Sequence, residues 1–480
     1  MLPANKTVLG NTTFTFLAAL LLLSATQAQA SRPNIVFFLV DDMGWKDLGC
    51  FGSSFYETPN IDKLAASGMR FTNAYAACPV CSPTRASILA GKYPARMNTT
   101  DYFGGQRKKK LLPAPYIQRM PHEEVTLAET LKEARYRTGF FGKWHLGRAP
   151  FTPESQGFDV NKGGFWRGHP PKGYFAPYGN PKLADGPKGE YLTERLTTEA
   201  LTFLDESKDG PFLLYFSFYT VHTPLQAKKD RTAYYKKKRD ALPEPQGPRW
   251  LPEGKRKCRQ VQDHARYAAM VEAVDVSVGH VLAKIDALGL SNDTIVVLFS
   301  DNGGLSTSEG HPTSNVPLRA GKGWLYEGGI REPMIVRWPG RTKPGSVTDV
   351  PVISTDFYPT LLQMAGLAPR PRQHLDGVSL VPLLTGSGTI APRTLYWHYP
   401  HYGNQGATPA CAIRDGRYKL IEWLEDGRTE VFDLEADIGE RKNLVQSQPV
   451  LAKHLRDKLV AWRAAVDAQM PSPNPDWKEK

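Results

Sequence analysis

The chain alternates between short runs that are apolar at almost every position and segments whose apolar residues recur at helical spacing. Continuous apolar runs of this length predict buried strands, and they lie at Asn34–Val40, Pro211–Phe218, Thr294–Ser300 and Pro333–Trp338. Helical patterns fill the intervals, at Ile61–Ser67, at Thr126–Glu133 and from about Val261 to Leu288. Strands that alternate with helices predict an α/β fold with helices on both faces of a sheet.

The pattern changes after about residue 370. Short strand-like runs broken by Asp-Gly turns follow at Leu395–Tyr399, Tyr418–Trp423 and Thr429–Leu434, and a helical pattern covers about 450–470. These runs predict a smaller antiparallel sheet with one helix packed on it. We therefore expect two domains, 31–370 and 371–480, with the boundary at Pro369-Arg370-Pro371 and a loose Pro-rich end at 471–475.

The first thirty residues have the pattern of a signal peptide. Lys6 precedes an apolar run from Phe14 to Leu23, and Ala28-Gln29-Ala30 is a small-x-small cleavage site, so we expect the mature chain to begin at Ser31. A membrane anchor is the alternative, but the run has about half of the ~20 residues that cross a bilayer. No later segment is long and apolar enough to span a membrane. We expect an exported protein, periplasmic or extracellular.

Composition and charge narrow the classes of function. The chain has 480 residues, 22% charged and 41% hydrophobic, which is enough for a large core and argues against disorder. The net charge is +12, and basic clusters at 108–110, 236–238 and 255–257 lie in polar, loop-like stretches. A solvated surface explains each cluster alone, whereas together they would concentrate anionic substrates. Nucleic acid is a poor candidate because no nucleic-acid-binding module is recognisable.

Two of the predicted strands end in acidic and amide side chains. Asp41 and Asp42 follow the first strand, and Asp301-Asn302-Gly303-Gly304 follows another, where the glycines allow a sharp turn. Adjacent carboxylates repel each other and usually need a cation or basic neighbours, although a solvated turn is the alternative for the pair alone. Hard oxygen ligands suit Ca²⁺ or Mg²⁺, and the sequence leaves both ions open.

A short cysteine motif occurs together with several loops that carry cations and imidazoles. Cys81-Ser82-Pro83-Thr84-Arg85 is weak by itself, since a buried structural cysteine at a helix start would explain it. The loops that accompany it are, in chain order, Gly142-Lys143-Trp144-His145-Leu146-Gly147, His222-Thr223-Pro224, 315–319, Gly321-Lys322-Gly323 and 327–331. Their joint occurrence in this order is far more specific than any one of them.

This set of motifs resembles the type I sulfatases of the alkaline-phosphatase-like superfamily, from about Asn34 to the C-terminal strands. The resemblance implies a large mixed sheet sandwiched by helices, and a Cys81 that a formylglycine-generating maturation enzyme oxidises to formylglycine. It also implies a divalent ion, usually Ca²⁺ with Mg²⁺ as the alternative, and the ligands are then Asp41, Asp42, Cys81, Asp301 and Asn302. Ala90 stands where the family commonly has threonine, which affects recognition by the maturation enzyme rather than the chemistry.

The same resemblance assigns roles to the other polar residues. Arg85 would hold the formylglycine and offset its charge, while Lys143 and His145 would contact its hydroxyls. His222 and Lys322 would grip the sulfate and the bridging oxygen. With the formylglycine hydrate as nucleophile, we expect His222, assisted by Lys322, to protonate the leaving alkoxide. We expect His145 to remove the proton of the second hydroxyl, so that the aldehyde reforms and sulfate leaves.

The five cysteines are an odd number for an exported chain. They are Cys50, Cys78, Cys81, Cys258 and Cys411. Conversion of Cys81 would leave four, which could pair in three ways or remain free and buried.

Two aromatic stretches are candidates for the wall that binds substrate. One is 163–181 and the other is Trp397–Tyr402, and the polar candidates within them are Arg167, His169, His398 and His401. Aromatic rings mixed with His and Arg suit a sugar and its hydroxyls, although ordinary packing explains them equally well. The stretches resemble bacterial sulfatases acting on sulfated galactose or N-acetylgalactosamine, which implies an exo-acting glycan sulfatase at position 4 or 6.

Two other functions fit parts of the pattern. A phosphatase or phosphodiesterase of the same superfamily would carry Ser or Thr as nucleophile and more His and Asp ligands, whereas this chain has Cys81, Pro83 and Arg85. A catalytically silent glycan-binding protein would be expected to have lost a ligand or the nucleophile, and none is missing. The sequence leaves the oligomeric state open.

Overall fold

The strongest apolar runs of the sequence form the centre of one large sheet. We describe the fold from a computed structural model, which covers residues 1–4 and 32–478, so the predicted signal peptide lies outside the described residues. Asn34–Val40 is buried along its whole length and pairs in parallel with Phe212–Ser217 on one side and Thr294–Ser300 on the other. A strand covered on both faces has to be apolar at successive positions, which explains the continuous runs.

The predicted strands and helices are all present, with ends shifted by a few residues. The strands are β1 (Asn34–Val40), β2 (Met69–Tyr75), β3 (Leu111–Leu112), β4 (Arg137–Gly142), β5 (Val160–Lys162), β6 (Phe212–Ser217), β7 (Trp250–Glu253), β8 (Arg256–Arg259), β9 (Thr294–Ser300), β10 (Arg331–Arg337), β11 (Ser346–Thr348), β12 (Val352–Ile353), β13 (Thr394–Tyr399), β14 (Ala410–Asp415), β15 (Tyr418–Trp423), β16 (Thr429–Asp433) and β17 (Ser472–Pro473). The helices are α1 (Pro59–Ser67), α2 (Cys81–Ala90), α3 (Leu127–Glu133), α4 (Leu192–Ser207), α5 (Lys229–Asp240), α6 (Ala265–Ala287), α7 (Glu327–Ile330), α8 (Phe357–Met364), α9 (Val381–Thr385) and α10 (Pro449–Ala465).

The large sheet is mixed, as the resemblance implied. Its nine strands follow the order β11-β2-β10-β9-β1-β6-β4-β5, and β12 pairs with β2. Strand β10 runs antiparallel to both β2 and β9, while β1, β4, β5, β6 and β9 form a parallel block. The carboxyl ends of the parallel block therefore meet at one edge, which is where such sheets place their functional loops.

Helices cover both faces of this sheet, since successive side chains of a strand point to opposite faces. Val36, Phe38 and Val40 belong to one buried cluster, together with apolar residues of α1, α4 and α6. Ile35, Phe37 and Leu39 belong to a second cluster, which includes residues of α2, α3 and α8. Both cores thus meet at β1, and its end is held rigidly in the middle of the molecule.

The C-terminal region contains a separate four-stranded antiparallel sheet in the order β13-β14-β15-β16. One face packs on α10 through Ile413, Leu420 and Leu459. The sequence pattern did not predict β14, because its Ala and Cys residues have little preference for strands and gain their contacts only from β13 and β15. The other face shares a buried cluster with residues of the large sheet and its loops, including Tyr75 and Trp324.

A buried set of charges joins the small sheet to the rest of the chain. We call it the inter-sheet cluster, and it consists of Tyr75, Glu327, Arg331, Arg414, Lys419 and Glu440. Lys419 Nζ lies 2.9 Å from Glu327 Oε1 and 2.9 Å from Glu440 Oε1, and the Tyr75 hydroxyl donates to Glu327 Oε2 at 2.7 Å. Residues 32–480 form one compact unit, and the division near residue 370 stays a prediction.

Four smaller expectations are corrected or answered. The basic residues 236–238 lie in α5 rather than in a loop, and the Pro-rich end is tied down because Ser472–Pro473 pairs with Leu111–Leu112. Within the described residues the five cysteines are free thiols. No helix there combines the length and the apolar character that crossing a bilayer requires.

Candidate active site

The candidate residues come together at the carboxyl edge of the parallel strands. Asp41 and Asp42 follow β1, Lys143 follows β4, and Asp301 and Asn302 follow β9. Their side chains are all buried. Strand order therefore brings together groups that are distant in the chain, such as Asp42 and Asn302, which are 260 positions apart.

The cysteine motif forms the first turns of α2, which is buried throughout. Cys81 is the first residue of this helix, and burial raises the pKa of its thiol. Arg85, one turn further, donates from Nε to Asp301 Oδ2 at 2.8 Å and from one terminal nitrogen to the carbonyl oxygen of Lys143 at 2.9 Å. The unmodified thiol is thus a poor nucleophile, since the thiolate is the reactive form.

Two lysines pair with the two adjacent carboxylates. Lys143 Nζ lies 2.7 Å from Asp41 Oδ2, and Lys322 Nζ lies 2.6 Å from Asp42 Oδ1. We call the group formed by Asp41, Asp42, Arg85, Lys143, Asp301, Asn302 and Lys322 the strand-end cluster. It contains three carboxylates and three cations, so its charges balance.

The strand-end cluster offers oxygen atoms for a metal ion. Asp41 Oδ1, Asp42 Oδ2 and Asn302 Oδ1 are buried and have no hydrogen-bond partner among the described residues. Burial raises the pKa of Asp41 well above its usual range, whereas the neighbouring cations, Lys322 above all, outweigh burial and lower that of Asp42 to about 2. Ligand atoms of Asp41, Cys81 and Asp301 lie within 4.8 Å of one another. Buried oxygens without partners are costly, so these residues fit a hard divalent cation.

The two histidines present different nitrogen atoms to the site. His145 Nε2 lies 3.2 Å from the carbonyl oxygen of Phe103 and donates to it, which leaves Nδ1 without a partner among the described residues. His222 Nδ1 donates to the carbonyl oxygen of Thr223 at 2.7 Å, and Nε2 lies 3.8 Å from Asp42 Oδ2. Burial and neighbouring cations (Lys143 and Arg85 for His145, Lys322 for His222) lower the pKa of both imidazoles well below its usual range.

One cavity of about 630 Å³ opens onto these groups. The sequence-predicted residues that line it are Cys81, His145, Arg167, His169, His222 and Lys322. It is also lined by residues that the sequence did not single out, among them Tyr102, Phe103, Glu309, Asn404 and Gln405. Glu309 bridges two of these walls, because it accepts from Gln405 Nε2 at 2.8 Å and from the Thr223 hydroxyl at 3.4 Å.

Two predicted substrate-binding residues lie elsewhere. His398 and His401 are buried and do not line the cavity. His398 contacts Cys411 Sγ at 3.0 Å and the carbonyl oxygen of Gln469 at 2.9 Å, and His401 contacts the Thr100 hydroxyl at 2.9 Å. Both histidines are therefore packing residues of the interior and not residues of the cavity wall. The C-terminal region instead supplies Asn404 and Gln405, only three and four positions beyond His401.

Comparisons with known proteins identify the family. The family model described as Sulfatase matches residues 33–367, and the one described as N-sulphoglucosamine sulphohydrolase, C-terminal, matches residues 320–465. A sulfatase of Formosa agariphila is 33% identical over 93% of this chain and 91% of its own length. The N-acetylgalactosamine-6-sulfatase of Canis lupus familiaris is 33% identical over 88% of this chain and 79% of its own.

A solved structure shares the fold as well. The crystal structure of Ps i-CgsB in complex with k-i-k-neocarrahexaose has a TM-score of 0.75 and 29% identity, covering 94% of this chain and 95% of that one. The likenesses in sequence and in fold extend over nearly the whole described chain. The chain therefore belongs to the sulfatase family, within the alkaline-phosphatase-like superfamily, and is a sulfuric ester hydrolase.

Proposed function

We propose that this sulfatase removes sulfate from galactose or N-acetylgalactosamine units of sulfated glycans, acting at chain ends. It would use a formylglycine made from Cys81 and a divalent cation. The observation that carries the proposal is the position of Cys81, which opens onto the cavity while its Sγ lies within 4.8 Å of ligand atoms of Asp41 and Asp301. A group generated at position 81 would thus meet a cation and a substrate in the same place.

The proposed cation site is inferred from the partners of the individual carboxylate oxygens. Asp41 and Asp42 each have one oxygen paired with a lysine and one oxygen without a hydrogen-bond partner among the described residues. The two open oxygens and Asn302 Oδ1 would hold Ca²⁺, with Mg²⁺ as the alternative, together with Asp301 and residue 81. When bound, the ion would polarise the sulfate oxygens. Because the cluster is already balanced in charge, the added positive charge would attract the anionic sulfate ester.

The side chains around Cys81 suit the handling of a developing negative charge. When formed, formylglycine would supply a hydrated aldehyde as the nucleophile. Arg85 and Lys143 are buried cations in the cluster that holds Asp41 and Asp301, and would orient that group. Lys322 lines the cavity and would stabilise charge on the sulfate.

The two imidazoles are proposed to move protons in opposite directions. His145 is neutral because of its lowered pKa, and its Nδ1 has no partner within the described part of the chain, so it would accept a proton. His222 is neutral before substrate binds, and the negative charges of Asp42 and of the sulfate ester would favour its protonation. It would then donate this proton to the leaving oxygen, with Lys322 assisting.

The substrate class is supported by the cavity wall and by the relatives. Trp166, Arg167 and His169 line one side, and Glu309 with Asn404 and Gln405 lines another, which is a mixture suited to sugar hydroxyls and rings. One relative is named as an N-acetylgalactosamine-6-sulfatase, and one structural neighbour was solved with k-i-k-neocarrahexaose. Export and a maturation enzyme as partner belong to the same proposal.

Mass spectrometry together with a substrate panel tests the proposal. Protein made with a maturation enzyme should carry an aldehyde at position 81, and it should release sulfate from sulfated galactose or N-acetylgalactosamine. It should also hydrolyse 4-nitrophenyl sulfate, and 4-nitrophenyl phosphate serves as the control for the phosphatase alternative. Unmodified thiol with glycan binding but no turnover would support the silent binding protein, and preferred phosphate release would support the phosphatase.

A further inference from the structure

A second cavity adjoins the active-site cavity. It has a volume of about 270 Å³ and shares two wall residues, Phe103 and Trp166, with the active-site cavity. Its remaining walls include Gln118, Arg119, Arg148 and Phe151. We call it the side cavity. A ligand that fills the active site and extends past Trp166 would enter it.

The side cavity combines aromatic rings with guanidinium groups. The Arg148 guanidinium carbon lies 3.6 Å from the centre of the Trp166 ring, and that of Arg119 lies 5.2 Å from the centre of the Phe151 ring. No carboxylate lines this cavity among the residues that the structure describes. Its charge is therefore positive throughout.

Arg119 and Arg148 are exposed side chains, and neither has a counter-charge among the described residues. Arg85 pairs with Asp301 and Arg319 pairs with Glu253, whereas Arg119 and Arg148 form no ion pair within residues 32–478. Arg167 also lies over Trp166, with its guanidinium carbon 5.1 Å from the ring centre. The Trp166 ring, which lines both cavities, is thus flanked by two guanidinium groups.

We propose that the side cavity binds an anionic sugar unit adjoining the one whose sulfate ester is hydrolysed. This inference rests on the proposed function, since it extends the same substrate. The guanidinium groups of Arg119 and Arg148 bind a sulfate or a carboxylate, which match their fork of N–H donors. Trp166 and Phe151 pack on the sugar ring. The preferred substrate is then a chain that carries charge on two neighbouring units.

The test compares three disaccharides that share the same sulfated N-acetylgalactosamine end. The second unit is a uronic acid, a sulfated galactose or a neutral galactose, and 4-nitrophenyl sulfate serves as a substrate without a second unit. The double variant Arg119→Gln/Arg148→Gln is measured beside Arg372→Gln, an exposed arginine outside both cavities. Glutamine removes the positive charge and keeps an amide that can donate hydrogen bonds.

We expect the double variant to lower kcat/KM for the charged disaccharides by about tenfold per arginine, mainly through KM. It should change kcat/KM for the neutral disaccharide and for 4-nitrophenyl sulfate by less than about threefold. The uronic acid and sulfated galactose arms show which anion is preferred. A loss of similar size on all substrates, or no loss on any, overturns the side-cavity proposal. Failure of the wild type to hydrolyse any of the sulfate esters would instead overturn the proposed function.

Discussion

The strand-end cluster and the inter-sheet cluster are both buried groups of carboxylates and cations, yet they differ in what they leave unpaired. In the inter-sheet cluster, both oxygens of Glu327 and one of Glu440 accept hydrogen bonds, and Glu440 Oε1, which accepts none within the described part of the chain, still lies 2.9 Å from Lys419 Nζ. In the strand-end cluster, Asp41 Oδ1, Asp42 Oδ2 and Asn302 Oδ1 have no hydrogen-bond partner among the described residues.

We expect this difference to separate a buried charge cluster that serves structure from one that serves function. Taking charges out of water is costly, and the cost is offset only where each group finds a partner. The inter-sheet cluster meets that condition within the chain and joins two sheets. The strand-end cluster does not, and its three open oxygens suit the cation of the proposed function. Removing a group from each cluster should therefore have different consequences.

The largest effect is expected at the residue that the strand-end cluster surrounds. Cys81→Ser removes the second hydroxyl that releases sulfate, so turnover should fall by roughly 10⁴-fold or more, or stop with sulfate bound to the enzyme. Initial rates with 4-nitrophenyl sulfate and the intact mass of the protein measure both outcomes. The thermal midpoint should stay near that of the wild type. Normal turnover by this variant would contradict the mechanism.

A loss of about 10²- to 10⁴-fold in kcat/KM is expected for His222→Gln on sugar sulfates, because their poor leaving group needs a proton. With 4-nitrophenyl sulfate the loss should be much smaller, since nitrophenolate leaves without protonation. His454→Gln, an exposed residue of α10, is the matched control and should change neither rate. Equal losses on both substrates would show that His222 does not act as the acid.

In the inter-sheet cluster the expected effect is on folding. Lys419→Met leaves Glu327 and Glu440 facing each other in the core, and the free energy of unfolding should fall by about 3–5 kcal/mol. Urea unfolding measures this change. Lys453→Met, which removes the exposed pair of Lys453 with Asp457, should cost less than about 1 kcal/mol. If both variants lost similarly little free energy of unfolding, the buried and the exposed ion pairs would not differ in their contribution to stability.

Removing the metal ion should destabilise the strand-end cluster and leave the inter-sheet cluster unaffected. Chelation should lower the free energy of unfolding of the wild type by about 3 kcal/mol if the ion was present at 100 times its Kd, and Ca²⁺ or Mg²⁺ should restore it. Lys419→Met should keep this metal-dependent difference, whereas Asp42→Asn should lose most of it. An identical response in the two variants would show that the open oxygens are not the metal site.

The smallest expected effect is a change in how the free energy of unfolding depends on pH, caused by the carboxyl group of Glu440. Burial and Glu327 raise its pKa to about 7 against the pull of Lys419, while the unfolded chain has the ordinary value of 4.5. The folded state thus binds the proton more tightly, so this contribution to stability is present below pH 4.5 and is lost as the pH rises through 7. Relative to wild type, Glu440→Gln should gain about 1–3 kcal/mol between pH 5 and pH 8. A difference that does not vary with pH would contradict this assignment.

The sequence by itself determined the elements whose reasons are local. Continuous apolar runs located β1, β6 and β9, since a strand covered on both faces has no polar positions. The acids that end β1 and β9 and the motif that opens α2 were identifiable because strand ends and helix starts are readable from the chain. The candidate site residues could therefore be named from the sequence, the strand-end acids from the pattern and the others from the resemblance to the sulfatases.

Only the tertiary structure decided which of these groups meet and which are used for packing. His398 and His401 look like Arg167 and His169 in sequence, but the first two are buried against Cys411 and Thr100, while the last two line the cavity. Glu309, Gln405 and Arg148 gave little signal, because their roles depend on loops that fold against one another from distant parts of the chain. Strand order brings the reactive groups together, and it is the packing of those loops that shapes the space in which a substrate can bind.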